Sequence, residues 1–406
     1  MRQARRLVVL AALVALAACS TPQTTSVRAA RSIAFGTLVS PPDRSADEAR
    51  AGVSAAMVEL SWEQAEPAEG TFDDRYLRSV RADVDTLRAT DRTITLGLGL
   101  HHAPEWVLAL PGGRFVDENG DSSEEANLVF AQRSRNAAEQ YLAHVAAVLD
   151  PSLVDDVRLT SGGVAEVLYP GGGHYWAFDD NARGGADLPA SMPPNPLPGW
   201  RPGQPGPDES QVREWADWYV GALDDVVVWQ LSTLTALGFN GGYEVLTPGV
   251  GVRPGEYATA IRDGLPAGLL GAGAAWQVFY ERLPRRPDLT VYVSSVADGS
   301  GGNDVCRAED QGVPLDSSEV EGWSAVRWQA RLAGEYGYAL SGENPGWRQS
   351  PALDRSYVDV SAGGMMAAAL AQARACGFRS FLWAHAEQLW DGTVPFEEYA
   401  ARIAGA

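Results

Sequence analysis

The sequence of 406 residues contains no lysine, so arginine supplies all 32 of its basic side chains. We attribute this absence to a GC-rich genome rather than to a mechanism. The acidic residues number 52, which gives a net charge of −20 and a pI near 4.6. A surface that binds nucleic acid or an anionic membrane needs clustered positive charge, and the sequence offers none. The composition argues against both partners and favours a neutral or cationic substrate.

Cysteine is also scarce, since the chain contains only Cys19, Cys306 and Cys376. The last two do not show the short spacing of metal-ligating cysteines. We therefore expect no structural metal. No stretch of the sequence indicates an organic cofactor, and none is expected either.

Long apolar runs are missing except at the N-terminus, where LVVLAALVALAA (residues 7–18) follows the basic MRQARR. This run is too short to span a bilayer as a permanent helix. It ends at Leu16, Ala17, Ala18 and Cys19, which resembles the lipobox of bacterial lipoproteins, whose cysteine is acylated. Residues 1–18 are therefore predicted to be a lipoprotein signal peptide and residues 19–31 a flexible tether that anchors the protein to the outer face of the cytoplasmic membrane. A plain secretory signal is the alternative.

The rest of the chain alternates short β-rich runs with longer amphipathic ones, which is typical of βα units around a parallel sheet. The β-rich runs lie at residues 32–39, 55–62, 93–100, 156–161, 241–247, 290–296, 336–342 and 378–384. Helices are predicted at residues 44–51, 74–89, 126–149, 209–237, 272–283, 324–335 and 363–376. Eight units in residues 32–406 predict an α/β fold, a single (β/α)₈ TIM barrel with enlarged βα loops. A doubly wound open sheet is the weaker alternative.

Two glutamates stand just beyond predicted strands, where a barrel of this kind builds its active site. Glu343 lies in SGENPGW (341–347) after the seventh run, and Glu166 lies in GGVAEVLYP (162–170) after the fourth. Two carboxyls so placed suit glycoside hydrolysis, in which one protonates the glycosidic oxygen while the other acts at the sugar carbon. The alternative, for either residue alone, is an ordinary surface glutamate in a loop.

The same loops collect aromatic and titratable side chains. A sugar site needs flat aromatic surfaces for C–H faces and polar groups for hydroxyls. The residues predicted to contact a carbohydrate are Trp62, His101, His102, Trp106, Tyr169, His174, Trp176, Asp179, Asn344, Trp383, His385 and Glu387. Loop tryptophans that only pack against one another are the alternative. His101 and His102 are not assigned to a metal, because adjacent side chains on an extended chain point in different directions.

Several stretches resemble known glycoside hydrolases. WEQAEPAEGTFDDRYL (62–77) looks like the W-x-x-x-E-P-x-x-G-x-[FY]-[DN] stretch of clan A, which includes the family 42 β-galactosidases. HHAPEWV (101–107) is similar to the segment after the third strand of the same enzymes. GGVAEVLYP resembles the G-x-x-G-E-x-x-Y-P stretch of the family 14 β-amylases, and Glu166 aligns with their general acid.

The resemblance implies a glycosidase that cleaves O-glycosidic bonds of an extracellular oligo- or polysaccharide. Glu166 would be the proton donor, Glu343 its partner across the sugar ring, and Trp383 a stacking platform under the sugar. A retaining mechanism is favoured. Two alternatives remain open, an inverting amylase-like hydrolase in which Glu343 activates water, and a non-catalytic carbohydrate-binding barrel.

The predicted barrel also indicates whether the two remaining cysteines can form a disulfide. Cys306 follows the sixth predicted strand at the active-site end, whereas Cys376 closes a helix that returns to the opposite end. A disulfide needs Cα atoms within about 7 Å of each other. We therefore expect Cys306 and Cys376 to be too far apart to form one.

The lipid anchor is open to a direct test. If Cys19 carries the lipid, Cys19→Ala should move the protein from the membrane fraction to the soluble exported fraction, because the barrel itself needs no membrane contact. Cell fractionation followed by immunodetection measures the distribution. An unchanged distribution would contradict the anchor.

Overall fold

The structure is a computed structural model that describes residues 32–249, 251–266, 268–297 and 302–405. The predicted signal peptide, Cys19 and the tether lie outside these residues. From Ile33 onward the described residues form one compact unit. Within the described ranges, no helix combines the length and the apolar character needed to cross a bilayer.

Eight parallel strands form a closed barrel. In chain order, strands β1 to β8 are Ala34–Thr37, Ala55–Glu59, Thr93–Gly97, Asp156–Leu159, Gly242–Thr247, Leu289–Val293, Ala339–Glu343 and Ser380–Trp383. Each strand pairs with the next one along the chain, and β8 closes the barrel on β1 with Phe381 opposite Phe35. All eight predicted strands are present, so the predicted (β/α)₈ barrel is confirmed and the open sheet is excluded.

Helices surround the barrel and connect its strands. The α-helices of the described residues are Ser45–Arg50, Trp62–Ala65, Asp74–Arg88, Glu105–Leu108, Gln132–Leu149, Glu209–Ala236, Pro254–Arg262, Trp276–Arg282, Ala325–Tyr336, Pro351–Val358, Met365–Ala375 and Phe396–Ala404. The seven predicted helices match seven of these. The helix predicted from residue 126 begins only at Gln132, because Arg114–Val116 and Ser122–Ala126 pair as an antiparallel hairpin in the enlarged loop after β3.

Apolar side chains form two separate layers. The larger layer lies between the strands and the helices. The smaller one fills part of the barrel interior and consists of Leu38, Ala55, Met57, Leu246, Tyr292, Leu382 and Ala384. Because this inner cluster is small, polar and charged side chains complete the barrel interior.

The longest helix, Glu209–Ala236, holds the beginning of the loop after β4. It starts with a capping box, in which the Asp208 side chain accepts from the Gln211 backbone and the Gln211 side chain accepts in return. Near its other end, the Gln230 amide donates to the Thr160 carbonyl over 2.6 Å and accepts from the Thr160 backbone N–H over 3.3 Å. The helix thereby fixes the point at which the chain leaves β4.

The expectation for the thiols is wrong, since Cys306 and Cys376 form a disulfide with their Cα atoms 4.9 Å apart. The loop after β6 does not stay at the active-site end of the barrel. It runs along the helix Met365–Ala375, where the Gln372 amide donates to the carbonyl of Asp304 over 3.2 Å. This path brings Cys306 beside the end of that helix.

The disulfide should stabilise the barrel by restricting the unfolded chain across a separation of 70 residues. The double variant Cys306→Ser, Cys376→Ser should lose about 2–4 kcal/mol of unfolding free energy. For a unit of this size that corresponds to a fall of about 3–5 °C in Tm. Calorimetry with and without dithiothreitol tests this, because the reductant should lower the Tm of the wild type and leave the double variant unchanged. Equal Tm values for the two proteins without reductant would contradict the stabilising role.

Candidate active site

A cavity of about 520 Å³ opens at the carboxyl ends of the barrel strands. Its wall contains five residues from the predicted site, which are Glu166, Glu343, His101, His102 and His385. Two acids predicted to act together therefore face one cavity. The wall also contains residues that the sequence did not single out, namely Leu38, Val39, Met57, Glu59, Arg158, Ala165, Leu246, Pro248, Ser294, Ser295, Pro345, Gly346, Gln349 and Ala384.

Glu343 ends β7 and is held by two donors. The Arg158 guanidinium donates to its Oε2 over 2.8 Å, and the Tyr292 hydroxyl donates to the same oxygen over 2.9 Å. No described residue donates to Oε1. Only 8% of Glu343 is exposed. One carboxylate oxygen is thus fixed by a cation and a hydroxyl, while the other is left for a bound molecule.

Arg158 lies on β4 and is the cation at the centre of this network. Besides Glu343 it binds Glu244, to which its Nε donates over 3.3 Å, and it lies 4.2 Å from the centre of the Tyr292 ring. Burial by itself would lower the pKa of Arg158, but Glu343, Tyr292 and Glu244 outweigh it and the pKa is raised. Burial also raises the pKa of Glu244, against the opposing effect of Arg158. Arg158 therefore stays charged, and Glu343 is its closest carboxylate partner.

Glu166 follows β4 in a loop that hydrogen bonds hold in place. Its carbonyl accepts from the backbone and the hydroxyl of Ser161, both over 3.2 Å, and the Val167 N–H donates to Leu246 over 2.9 Å. Its side chain accepts from the Ser294 hydroxyl over 3.0 Å. Burial raises the pKa of Glu166, the negative Glu343 adds to the rise, and the bond from Ser294 opposes it.

A third carboxyl, Glu59, ends β2 and lines the same cavity. Its Oε1 is out of contact with solvent and has no hydrogen-bond partner among the described residues. Burial raises the pKa of Glu59 to about 7, against the opposing effects of Arg158 and the Gly99 N–H. Glu59 is therefore largely protonated in mildly acidic solution.

His101 and His102 do not point in different directions as expected, because their ring centres lie 4.0 Å apart. The chain turns here, with Gly99 at a φ of +64° and the His102 N–H donating back to the Gly99 carbonyl over 3.0 Å. A Cβ on Gly99 would lie 2.2 Å from the Leu60 carbonyl, so the turn requires glycine. Burial and the adjacent His102 lower the pKa of His101 to about 4, which keeps this imidazole neutral.

Val39 supplies exposed apolar surface to the wall of the cavity. It is 45% exposed and has a φ of 52°, in a region that β-branched residues rarely adopt. Such backbone strain concentrates at functional sites. Aliphatic residues of this kind are the apolar part of the wall, and no described Trp, Tyr or Phe lines it.

Two residues predicted to bind substrate are instead buried beside the site. Trp383 is fully buried, with its ring 5.1 Å from that of Tyr357, and does not line the cavity, so the predicted stacking platform does not fit the structure. Asn344 is also fully buried and bridges the ends of β7 and β8, since its amide donates to the Ala384 carbonyl and accepts from the Ala384 N–H, both over 3.0 Å. Asn344 thus supports the backbone next to Glu343.

The other predicted contact residues also lie outside the cavity wall. Trp62, Trp106, Tyr169, His174, Trp176, Asp179 and Glu387 are the residues concerned. The Trp62 and Trp106 indole groups donate to Glu66, over 2.9 and 3.1 Å. Tyr169 stacks on Tyr219 with ring centres 4.1 Å apart. These aromatic side chains pack the enlarged loops against one another and do not form a sugar platform.

Among the described residues, one group of side chains has the composition of a metal site. It consists of Asp117, Glu118 and His174, whose ligand atoms lie within 4.8 Å of one another. Each already has a partner, since the His174 Nδ1 lies 3.2 Å from Asp117 and 3.3 Å from Glu118. The Asp117 carboxylate also accepts from the backbone of Asn119 and Asp121. Contacts between the turn of the hairpin and the loop after β4 account for this group.

Three charged residues that the sequence analysis missed could have been recognised from their positions within predicted strands. Glu59, Arg158 and Glu244 stand inside the apolar runs AAMVELSW, DVRLTS and GGYEVLT. Strands of a parallel barrel are covered on both faces, so a charged residue within one must be paired or functional. All three residues were therefore identifiable from the sequence.

Comparisons with known proteins agree with the fold. No protein-family model matches the sequence, and no curated protein matches it significantly. A solved β-galactosidase from the psychrophilic Marinomonas ef1 is similar, with a TM-score of 0.55 and 13% identity over 87% of this chain and 54% of that chain. A polyextremophilic β-galactosidase from the Antarctic haloarchaeon Halorubrum lacusprofundi has a TM-score of 0.53 and 15% identity over 87% of this chain and 52% of that chain.

The chain therefore spans about half the length of these two β-galactosidases. At such low identity the likeness establishes the fold alone. The fold is a (β/α)₈ barrel of the kind that glycoside hydrolases such as these two enzymes possess.

The raised pKa of Glu59 makes a prediction for stability. Between its ordinary pKa of 4.5 and its folded pKa of about 7, the folded protein keeps a proton that the unfolded chain has lost. The stability that this bound proton contributes is therefore fully present below pH 4.5 and is lost as the pH rises through about 7. Over that range the free energy of unfolding falls by up to about 1.4 kcal/mol per pH unit. Glu59→Gln should remove this loss, so between pH 5 and 7 the variant should gain stability relative to the wild type.

Urea unfolding of both proteins across this pH range provides the measurement. The exposed Glu63 lies nearby on the helix Trp62–Ala65, outside the cavity, and Glu63→Gln is the matched control. Its unfolding free energy should run parallel to that of the wild type at every pH. Parallel curves for Glu59→Gln and the wild type would show that Glu59 titrates as an ordinary carboxyl.

Proposed function

We propose that the protein is a glycoside hydrolase that cleaves O-glycosidic bonds of an extracellular oligo- or polysaccharide, with Glu166 as proton donor and Glu343 as its partner. One observation carries the proposal. The two carboxyls line one cavity at the active-site end of the barrel, in opposite surroundings. Burial raises the pKa of Glu166, whereas Arg158 and Tyr292 both donate to Glu343.

The surroundings of Glu166 and Glu343 suit the two roles that the reaction requires, a proton donor and a negatively charged partner. A general acid must hold its proton at the working pH, and a raised pKa serves that need. Its partner must carry negative charge, which the Arg158 cation stabilises. The charge of Glu343 also helps to keep Glu166 protonated, because two nearby carboxyls do not ionise together easily.

The proposed reaction proceeds with retention. Glu343 uses Oε2 to bind Arg158 and Tyr292, which leaves Oε1 to attack the sugar carbon. Glu166 protonates the departing oxygen and then takes a proton from the water that releases the sugar. An inverting enzyme would use the same pair with Glu343 as a base for water. The anomer released first, followed by NMR, distinguishes the two reactions.

A barrel that only binds carbohydrate has less support. Such proteins hold sugars largely by stacking on aromatic rings. Among the described residues, no Trp, Tyr or Phe lines this cavity, whereas three carboxyls and three histidines do. The arrangement favours proton transfer over passive binding.

We further propose that the protein is exported and anchored by a lipid on Cys19. The signal-like N-terminus carries this inference. The disulfide between Cys306 and Cys376 supports it, because disulfides persist mainly in oxidising compartments outside the cytoplasm.

The roles of the two acids predict different losses. Glu166→Gln should lower kcat by about 10²–10⁴-fold on glycosides with poor leaving groups, and by much less on aryl glycosides whose leaving group needs no proton. Glu343→Gln should abolish turnover of both substrates, because no other group attacks the carbon or activates water. On glycosides with poor leaving groups, wild-type activity should decline at alkaline pH as Glu166 loses its proton, and Glu166→Gln should flatten that decline.

Purified mature protein and a panel of chromogenic glycosides provide the assay. The matched control is Glu335→Gln, which changes an exposed glutamate near the end of the helix Ala325–Tyr336 and should retain wild-type rates. The hydrolase proposal is falsified if both site variants keep wild-type activity.

A further inference from the structure

Glu59 is the carboxyl of the cavity that the two-acid reaction does not use. We propose that Glu59 recognises a free hydroxyl group on the sugar ring that Glu166 and Glu343 cleave, and thereby selects sugars with an unsubstituted hydroxyl at that position. The inference rests on the proposed glycosidase function and assigns a substrate-selecting group within the same site.

The first observation is an unused hydrogen-bonding atom. Oε1 of Glu59 is shielded from solvent and receives no hydrogen bond from a described residue. Leaving such a group unsatisfied costs free energy, and buried polar atoms nearly always have a partner. Glu59 also lines the cavity, so a molecule bound there is in a position to supply the missing partner.

The second observation is the shape of the space beside Glu59. A recess of about 20 Å³ is lined by Glu59, Gly97, Gly99, His101 and Arg158 together with Thr160 and the apolar residues Leu98, Ala165 and Leu246. Glu59, His101 and Arg158 also line the main cavity, so the recess adjoins it. A volume of this size accommodates one oxygen-sized group, since a water needs about 10–15 Å³. A free hydroxyl fits this space better than a substituted one.

The third observation is that the neighbouring strand makes room for this carboxyl. Gly97 ends β3 beside Glu59, and a Cβ on Gly97 would lie 2.1 Å from the Glu59 Oε2. Any other residue at this position would displace the carboxyl. The site therefore depends on a glycine that lets Glu59 lie across β3 and face the recess.

The charges around Glu59 identify the group that it binds. An ammonium group in the recess would be repelled by Arg158, which lines the same space and is strongly held in its charged form. A carboxylate or sulfate would meet Glu59 in the recess and Glu343 and Glu166 in the adjoining cavity. A neutral hydroxyl avoids both conflicts, and it both donates and accepts hydrogen bonds. A carboxyl with a pKa of about 7 can match it in either protonation state.

The test combines two changes at Glu59 with substrates that lack single hydroxyls. Glu59→Gln keeps a donor and an acceptor in nearly the same place, whereas Glu59→Ala removes both. On the parent aryl glycoside, Glu59→Ala should lower kcat/KM by about 10–100-fold, and Glu59→Gln by less than about 10-fold. A series of monodeoxy aryl glycosides should contain one member on which the wild type and Glu59→Ala have equal kcat/KM.

That equality is the distinguishing result, because a merely structural role for Glu59 would lower activity on every substrate alike. Circular dichroism and thermal unfolding should confirm that each variant is folded, and Glu63→Ala on the adjacent helix should match the wild type on all substrates. An equal loss on the parent and on every deoxy substrate would overturn the hydroxyl contact. If the wild type hydrolyses no glycoside of the panel, the proposed function fails, and this inference fails with it.

Discussion

The ion pair between Arg158 and Glu343 inside the barrel is the interaction on which the candidate site depends. Barrel interiors are ordinarily filled with layers of branched apolar side chains. Placing charges there costs stability unless each is paired, and removing one partner of a buried pair is strongly destabilising. Arg158 contacts Glu343 over 2.8 Å and Glu244 over 3.3 Å, so losing it would leave two buried carboxyls without their cation. The Arg158 guanidinium therefore stabilises both the barrel interior and the buried carboxylates of the site.

The three carboxyls that line the cavity also differ in whether a cation contacts them. Glu343 receives the shortest bond from Arg158 and a second bond from Tyr292. Glu166 and Glu59 receive no such bond from a cation, and burial raises the pKa of each. The cation contacts one of the three cavity-lining acids, and the other two, Glu166 and Glu59, are the carboxyls whose pKa burial raises and which hold protons more readily.

The fold was predictable because strand runs and helices carry strong periodic signals, and the places of Glu166 and Glu343 follow from where strands end. Glu59 and Arg158 were missed because strand residues were read only for their apolar pattern. Trp383 was misjudged because a position at a strand end does not reveal which way a side chain faces. The disulfide was missed because the path of a long loop depends on contacts such as that of Gln372 with Asp304, which local sequence does not encode.

No Trp, Tyr or Phe of the described residues lines the cavity, which bears on how this site would select a sugar if the proposed function holds. Stacking on a ring recognises the C–H face of a sugar and tolerates changes in its hydroxyls. Hydrogen bonds from fixed polar groups are directional, and a site built around a hydroxyl rejects an analogue without it by up to about 10⁴–10⁵-fold. Sugars that are epimers differ only in the direction of one hydroxyl. A wall of carboxyls, imidazoles and one guanidinium therefore suits discrimination between epimers better than binding to the C–H face of a sugar. The affinity for the sugar and the selectivity between sugars would then come from the same few polar atoms.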